Sequence, residues 1–317
     1  MGLLLNGPTG LKALRYLRCH RKPWISNAKP ITPRLTTPDE KTLNHARSIF
    51  CDSGETLFVS VANAADRRRI AGTACSVCSR TLPARSLISF DDQLWLPSPE
   101  SLFLQMHGHL TGLECIALGF ELCGHYCPRG TEAYEYDLPP VTSPDKLRRY
   151  LNRSAGLRHC DRARRALRFV RPSSASLRET QLALLLSLPF RYGGYAFSDP
   201  VLNRPIDVSP ISGSKWSRDA RRTDISWEGE PVAVEYDSNE FHSGREKIER
   251  DAKRRTLLQA AGFHVVVVTN DQLKKIAEMD RVERTLNHLM SARRRNRIAD
   301  YELRKRRLHQ AILRLDT

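Results

Sequence analysis

No run of apolar residues in this 317-residue chain is long enough to span a bilayer, which takes about 20 residues in a helix. The opening residues, MGLLLNGPTGLKALRYLRCHRKPW, are apolar only briefly and are broken by Gly, Pro and Arg. They lack the apolar stretch and cleavage pattern of a signal peptide. A cytoplasmic protein with no membrane partner is therefore expected. Acid is also in short supply: 35 Asp and Glu stand against 51 Lys and Arg, a formal net charge of +16. That balance points to a polyanionic partner, nucleic acid before membrane. The first half shows no clear helix-turn-helix, which counts against a simple repressor. Composition is otherwise ordinary for a globular protein, which argues against wholesale disorder.

Eight cysteines are present, and in a cytoplasm they would be reduced thiols. Cys75-x-x-Cys78 and Cys123-x-x-x-Cys127, with His125 inside the second pair, have spacings that zinc sites use. The pairs lie far apart in sequence and the first sits in a strand-like segment. Small buried thiols are the commoner use of such residues. His107 and His109 form only a weak pair.

The length suggests two domains, each able to bury a core. Residues 1–42 are poorly patterned, with a short helix expected over Leu11 to Leu17 and an extended Pro-rich run from Lys29 to Pro38. Residues 43–142 read as an α+β domain. Its strands are Leu57 to Ala62 and a pair within Ser86 to Trp95. One helix starts at Ser98-Pro99, an N-cap followed by proline, and another runs over Leu113 to Leu122 and ends at Gly124. Residues 143–172 read as a basic helical connector, residues 173–290 as an α/β domain, and residues 291–317 as a basic helical tail. In that tail Leu303, Leu308, Ile312 and Leu315 make a partial apolar stripe. Its arginines and lysines suit phosphate contact, packing on the protein, or a partner.

The most informative stretch is Thr223 to Asn270. Asp224 to Trp227 and Val232 to Asp237 alternate polar and apolar residues, which is a strand signal. Glu228-Gly229-Glu230-Pro231 separates them as a turn. With a loop at Gly229-Glu230, Glu228 pairs with Pro231 and Asp224 lies opposite Glu235. Asp237 then shares their face, two residues on. Ile225, Trp227, Val232, Val234 and Tyr236 form the other face. Opposed carboxylates repel, and either solvent or a divalent cation compensates. Mg²⁺ is typically held by one or two carboxylates. Ser243 to Glu246 fits a capping box, the helix after it stops at Gly262, and Phe263 to Thr269 reads as a buried strand. Asn270 or Asp271 is the expected cap of the next helix. Upstream, Pro200 to Asn203 reads as a turn before a strand at Ile206 to Val208. Ser176-Leu177-Arg178-Glu179 opens a further helix by the same capping logic.

The segment resembles the PD-(D/E)XK nuclease superfamily, in its branch similar to very-short-patch-repair (Vsr) endonucleases. That branch includes a domain of unknown function often seen in bacterial proteins related to AbiE-type antitoxins. The residues carrying the resemblance are Asp224, Glu235-Tyr236-Asp237, His242, Asp251-Ala252-Lys253-Arg254, Leu258, Gly262 and the Val265 to Val268 run. The usual motif Lys is absent, with Asp237 in its place, and Ser238 stands where Gly often follows.

The resemblance implies an α/β fold: a C-terminal mixed sheet flanked by helices, preceded by the α+β domain. It implies a Mg²⁺- or Mn²⁺-dependent endonuclease acting on DNA, in phage defence, repair or a toxin-antitoxin context. Asp224, Glu235 and Asp237 would hold the metal, and His242 would act as general base or position the water. Glu179 matches the Glu that the superfamily's first helix often directs at the metal; it also fits the second half of a capping box. Lys215, Arg218, Arg221, Arg222 and Arg254 would approach nucleic acid, with RNA as an alternative polymer. Asp251 and Arg254 also read as a structural ion pair. The second reading is a catalytically inactive nuclease fold that binds DNA as an antitoxin or regulator, with a toxin as partner.

Overall fold

A computed structural model describes residues 2–33, 39–67, 69–130, 133–207, 222–237, 255–291, 294 and 296–316. The chain is α/β and divides into two compact units. The first comprises Met1–Cys123 and Cys127–Val170, the second Gly124–Tyr126 and Arg171–Thr317.

The first unit is built on a five-stranded mixed sheet of order β3-β2-β1-β5-β4. Its strands are β1 (Leu3–Leu5), β2 (Leu57–Val61), β3 (Thr73–Val77), β4 (Leu87–Ser89) and β5 (Leu94–Pro97). The central strand β1 belongs to the stretch that reads as poorly patterned. All three of its leucines are buried, and three residues are too few to show a period. It runs parallel to β5 and antiparallel to β2. Helix α1 (Gly7–Cys19) is longer than expected and buries Leu11, Ala13, Leu14 and Leu17. Helix α2 (Glu40–Phe50) is capped by the Asp39 side chain. Helix α3 (Pro99–Met106) starts as the sequence predicts, Ser98 Oγ accepting from Ser101 N. Helix α4 (Gly112–Cys123) follows, and a short ribbon pairs β6 (Cys127–Arg129) with β7 (Ala133–Glu135).

Residues 143–172, expected as a connector, instead supply α5 (Pro144–Arg153) and α6 (Cys160–Leu167) to this first unit. Leu147, Tyr150 and Leu151 of α5 and Ala163 and Ala166 of α6 are buried. Their arginines mark the outer faces of amphipathic helices, and the apolar stripes decide where they pack. All eight cysteines are free thiols, and among the described residues no three His, Cys, Asp or Glu gather to hold a metal. Burial pushes the Cys115 and Cys123 thiols up to about 12, so they act as small apolar groups.

The second unit has a four-stranded sheet of order β11-β10-β9-β8. The strands are β8 (Val201–Pro205), β9 (Arg222–Ser226), β10 (Val232–Asp237) and β11 (His264–Thr269). β8 lies on the residues expected to form a turn, and residues 206–207 lie outside any strand. An edge position explains this: Pro205 has no N–H to give, which an edge strand tolerates. β9 is antiparallel to both β8 and β10, and β10 is parallel to β11. Residues 255–260 are helical and end at Gly262, whose φ of 85° is the left-handed conformation that favours glycine at a helix stop. Leu258 and Ile206 form a small core with Phe263 and Val265 packed against them.

Helix α7 (Leu177–Ser187) lies against β9 and β10 and is buried nearly all round, its polar Glu179, Thr180 and Gln181 included, with Leu182 to Leu186 fully covered. Helix α8 (Asn270–Leu273) is capped by Thr269 rather than by Asn270 or Asp271, with Gln272 completing a capping box. Helix α9 (Ile276–Leu289) packs on β11, and α10 (Tyr301–Leu313) packs on α7. The stripe of α10 differs from the expected one. Leu308 and Ile312 are buried, but Leu303 is exposed, and Lys305 and His309 take the remaining covered positions. Lys305 Nζ sits 2.8 Å from Asp280 and 3.1 Å from Glu302, so its charge is paired. Arg294 lies 3.5 Å over the Phe197 ring, and Arg304 donates to the Arg191 carbonyl. Three cations of the basic tail are thus spent on the protein itself. Among the described residues no helix is long and apolar enough to cross a membrane.

Candidate functional site

The site is assembled on the β9–β10 hairpin. Ala233 pairs with Ser226 and Val234 with Ile225, so the next pair along brings Glu235 opposite Asp224, the register expected from the alternation. The turn itself differs. Glu230 N donates to Trp227 O, and Gly229, with φ of 78°, takes the third turn position, so its centre is Glu228-Gly229.

Both carboxylates are buried, Asp224 at 8% exposure and Glu235 at 6%, which removes the solvated-face reading. Buried carboxylates need donors, and here the hairpin supplies them reciprocally. Asp224 N donates to Glu235 Oε1 (3.1 Å), and Tyr236 N donates to Asp224 Oδ2 (2.8 Å). Each side chain thereby satisfies a backbone N–H of the strand across from it. Asp237 is partly buried at the end of β10 and lies 3.9 Å from the Arg255 guanidinium.

Glu179 comes from the first turn of α7. Ser176 Oγ accepts from Glu179 N (3.1 Å), as an N-cap does. The carboxylate does more than cap: Oε2 accepts from Ala175 N (2.9 Å) and from Asn203 Nδ2 (2.7 Å). Burial first, and the Asp224 charge second, push its carboxyl up to about 8. Glu179 therefore lies within electrostatic reach of Asp224, and at neutral pH it holds a proton in the absence of a cation. The capping role and the place in the acidic cluster coexist in one side chain.

Asn203 is the participant that the sequence reading missed. On the β8–β9 register it lies opposite Asp224, since Leu202 pairs with Ile225 and Arg204 with Thr223. It takes a left-handed φ of 49°, a conformation Asn adopts more readily than most residues. Its side chain ties Ser173 O (2.8 Å) to Glu179. Nothing in its neighbourhood (Pro200, Asn203, Pro205) resembles a strand, so the signal was hidden.

The donor set is made of hard oxygens, which suits Mg²⁺ in kind, and two carboxylates are as many as Mg²⁺ ordinarily takes from a protein. His242, Lys215, Arg218, Arg221 and Arg254, together with Asp251, lie outside the described residues. Arg222 opens β9 opposite Pro205, half-buried. The structure thus brings together Asp224, Glu235 and Glu179, leaves Asp237 at the strand end beside Arg255, and adds Asn203. Comparison of the chain with family models, curated proteins and solved structures gave no match.

Proposed function

We propose that the second unit is a divalent-metal-dependent endonuclease site acting on DNA phosphodiesters. The observation that carries this reading is the buried Asp224–Glu235 pair with Glu179 beside it. Two acids on a covered sheet face and a third from the helix packed over it disfavour one another's charged forms, and a cation removes that cost. Asp224 and Glu235 would hold Mg²⁺ or Mn²⁺, with Asp237 assisting from the strand end. A metal in this place would polarise a phosphoryl oxygen and lower the pKa of an attacking water. Ala175 N and Asn203 Nδ2 orient Glu179 through hydrogen bonds to its Oε2, and Glu179 can hold or release a proton beside Asp224. His242 is assigned as general base. Lys215, Arg218, Arg221, Arg222 and Arg254 are assigned to the phosphate backbone, in keeping with the net charge of +16. The sequence resemblance to the Vsr-like branch supports the same reading.

A second reading, a nuclease fold used only to bind DNA as an antitoxin or regulator, is favoured by one observation. Asp224 and Glu235 each commit an oxygen to the opposite backbone, so the hairpin gives both of them a structural use. Cleavage of supercoiled and linear DNA, with and without Mg²⁺ or Mn²⁺, separates the two. Cutting that requires the metal and disappears in Asp224→Ala and Glu235→Ala supports the nuclease. Salt-sensitive binding with no cutting under any metal refutes it in favour of the binding module.

A further inference from the structure

The first unit contains a cavity of about 750 Å³ that the nuclease reading does not use. It opens where β1 passes into α1 and is bounded by β2, β3, the end of α3 and the turn before α6. Among the described residues no Asp or Glu lines it, whereas Arg80, Arg158, His109 and His159 do. Two arginines and no acid give the cleft a positive potential that concentrates anions, while burial lowers the pKa of both imidazoles and leaves them as neutral hydrogen-bonding groups. The volume lies within the usual range of about 300–1,000 Å³ for small-molecule sites, well beyond what a lone phosphate fills.

The floor has a different chemistry. Asn6, at 8% exposure, donates Nδ2 to Ser60 Oγ and to Ser76 Oγ, both at 2.6 Å. Its Oδ1 takes no hydrogen bond from the described residues, which leaves a nearly buried acceptor at the cavity wall. Gln105 Oε1 accepts from Gly7 N (3.3 Å), leaving its amide nitrogen only a long contact of 3.5 Å to Ser101. Neutral amides that both donate and accept suit the edge of a heterocycle or a sugar hydroxyl. The Phe58 and His109 rings meet edge to face at 5.4 Å, so an aromatic surface stands beside these amides. The two imidazoles come close to backbone: a Cβ on Gly7 would lie 2.8 Å from His109 Nε2, and one on Gly108 would lie 3.0 Å from His159 Nε2. Arg80 is held in place by a bond to Gly156 O (2.9 Å) and remains exposed.

We infer that this cavity binds a nucleoside phosphate, with the phosphate on Arg80, Arg158 and His159 and the nucleoside on Asn6, Gln105 and the Phe58–His109 rings. The same ligand chemistry is offered by a free nucleotide and by the phosphorylated 5′ end of a strand. Cys75 and Cys78, which also line the cavity, have thiol pKa values raised by burial and serve as wall. The inference does not depend on the second unit being a nuclease.

The test is calorimetric titration of the full chain, with EDTA present, using AMP, adenosine, and a short oligodeoxynucleotide with and without a 5′ phosphate. Wild type, Arg80→Ala/Arg158→Ala, and Arg281→Ala/Arg284→Ala as a control at exposed arginines of α9 in the other unit would be compared. The expected result is saturable binding that needs the phosphate, weakens about tenfold or more in the first variant, and is unchanged in the control. If AMP supplies this pattern, the ligand is a free nucleotide. If only the phosphorylated oligonucleotide supplies it, the ligand is a strand end. Adenosine binding as tightly as AMP, equal binding by wild type and Arg80→Ala/Arg158→Ala, or no phosphate-dependent binding of any probe would overturn the inference.

Discussion

Replacing Glu179 with Gln in metal-free buffer bears directly on the acidic cluster. In the folded chain the Glu179 carboxyl is lifted from 4.5 to about 8 by burial and by Asp224. Between those values the folded state holds a proton that the unfolded chain has released. Stability falls with rising pH wherever the unfolded state binds fewer protons. The contribution is thus fully present below pH 4.5, declines through the window and is lost as pH passes about 8. At about 1.4 kcal/mol per pH unit the window is worth at most about 5 kcal/mol. Asp224 shares that cost, and a loss of about 2–3 kcal/mol between about pH 5 and about pH 8 is the expected size. Gln is nearly isosteric, keeps an acceptor for Ala175 N and Asn203 Nδ2, and cannot ionise. Urea unfolding with EDTA at the two pH values reads the difference directly. Wild type should lose the stated amount and Glu179→Gln less than about 1 kcal/mol more than the background of other groups. Equal losses in both would refute the placement of Glu179 beside Asp224. Added Mg²⁺ should restore stability to wild type at the higher pH by mass action.

Glu235→Ala should abolish metal-dependent DNA cleavage, by more than about 10²-fold in rate, and should also lower stability by about 1–3 kcal/mol because Asp224 N loses its acceptor; Glu235→Gln should lose the cleavage while retaining most of the stability. In the first unit, Gly119→Ala would place a Cβ 2.4 Å from Val170 Cγ2 and should cost about 1–3 kcal/mol. Gly112→Ala, with nothing within 4 Å, should be near neutral by the same urea assay. Leu258→Ala empties a fully buried position and should cost about 2–5 kcal/mol, seen as a lower urea midpoint with an unchanged slope. Thr269→Ala removes the α8 cap and should cost about 1 kcal/mol.

Local signals carried most of what the sequence made legible. Ser98 and Ser176 cap the helices they were expected to cap, because a short polar side chain before an apolar run has few other uses. Gly262 stops its helix for the steric reason that favours glycine there. The Asp224–Glu235 register was readable because a one-residue slip would have turned Ile225 and Val234 off the core. Long-range decisions were not legible. β1 is a strand because β2 and β5 flank it, and three leucines alone do not say so. β8 has two prolines beside or within it and an Asn at positive φ, and only its neighbour β9 makes it a strand. Lys305 and His309 are covered because Asp280 and the Leu273 carbonyl await them, 25 and 36 residues away in sequence. For the same reason Asn203 could not be found: its partner Glu179 lies 24 residues earlier.

The reciprocal clasp between Asp224 and Glu235 makes one set of atoms answer to two demands. A mutation that discards either carboxylate loosens the hairpin as well as the proposed metal site, so descendants of such a protein would have a reason to keep both acids even if the proposed reaction were lost. Loss of activity would begin elsewhere, at groups that the hairpin does not need for its own closure. Paired acids on adjacent strands can in this way outlive the catalysis they once served, and a lineage can pass from cutting to binding without its central strands changing.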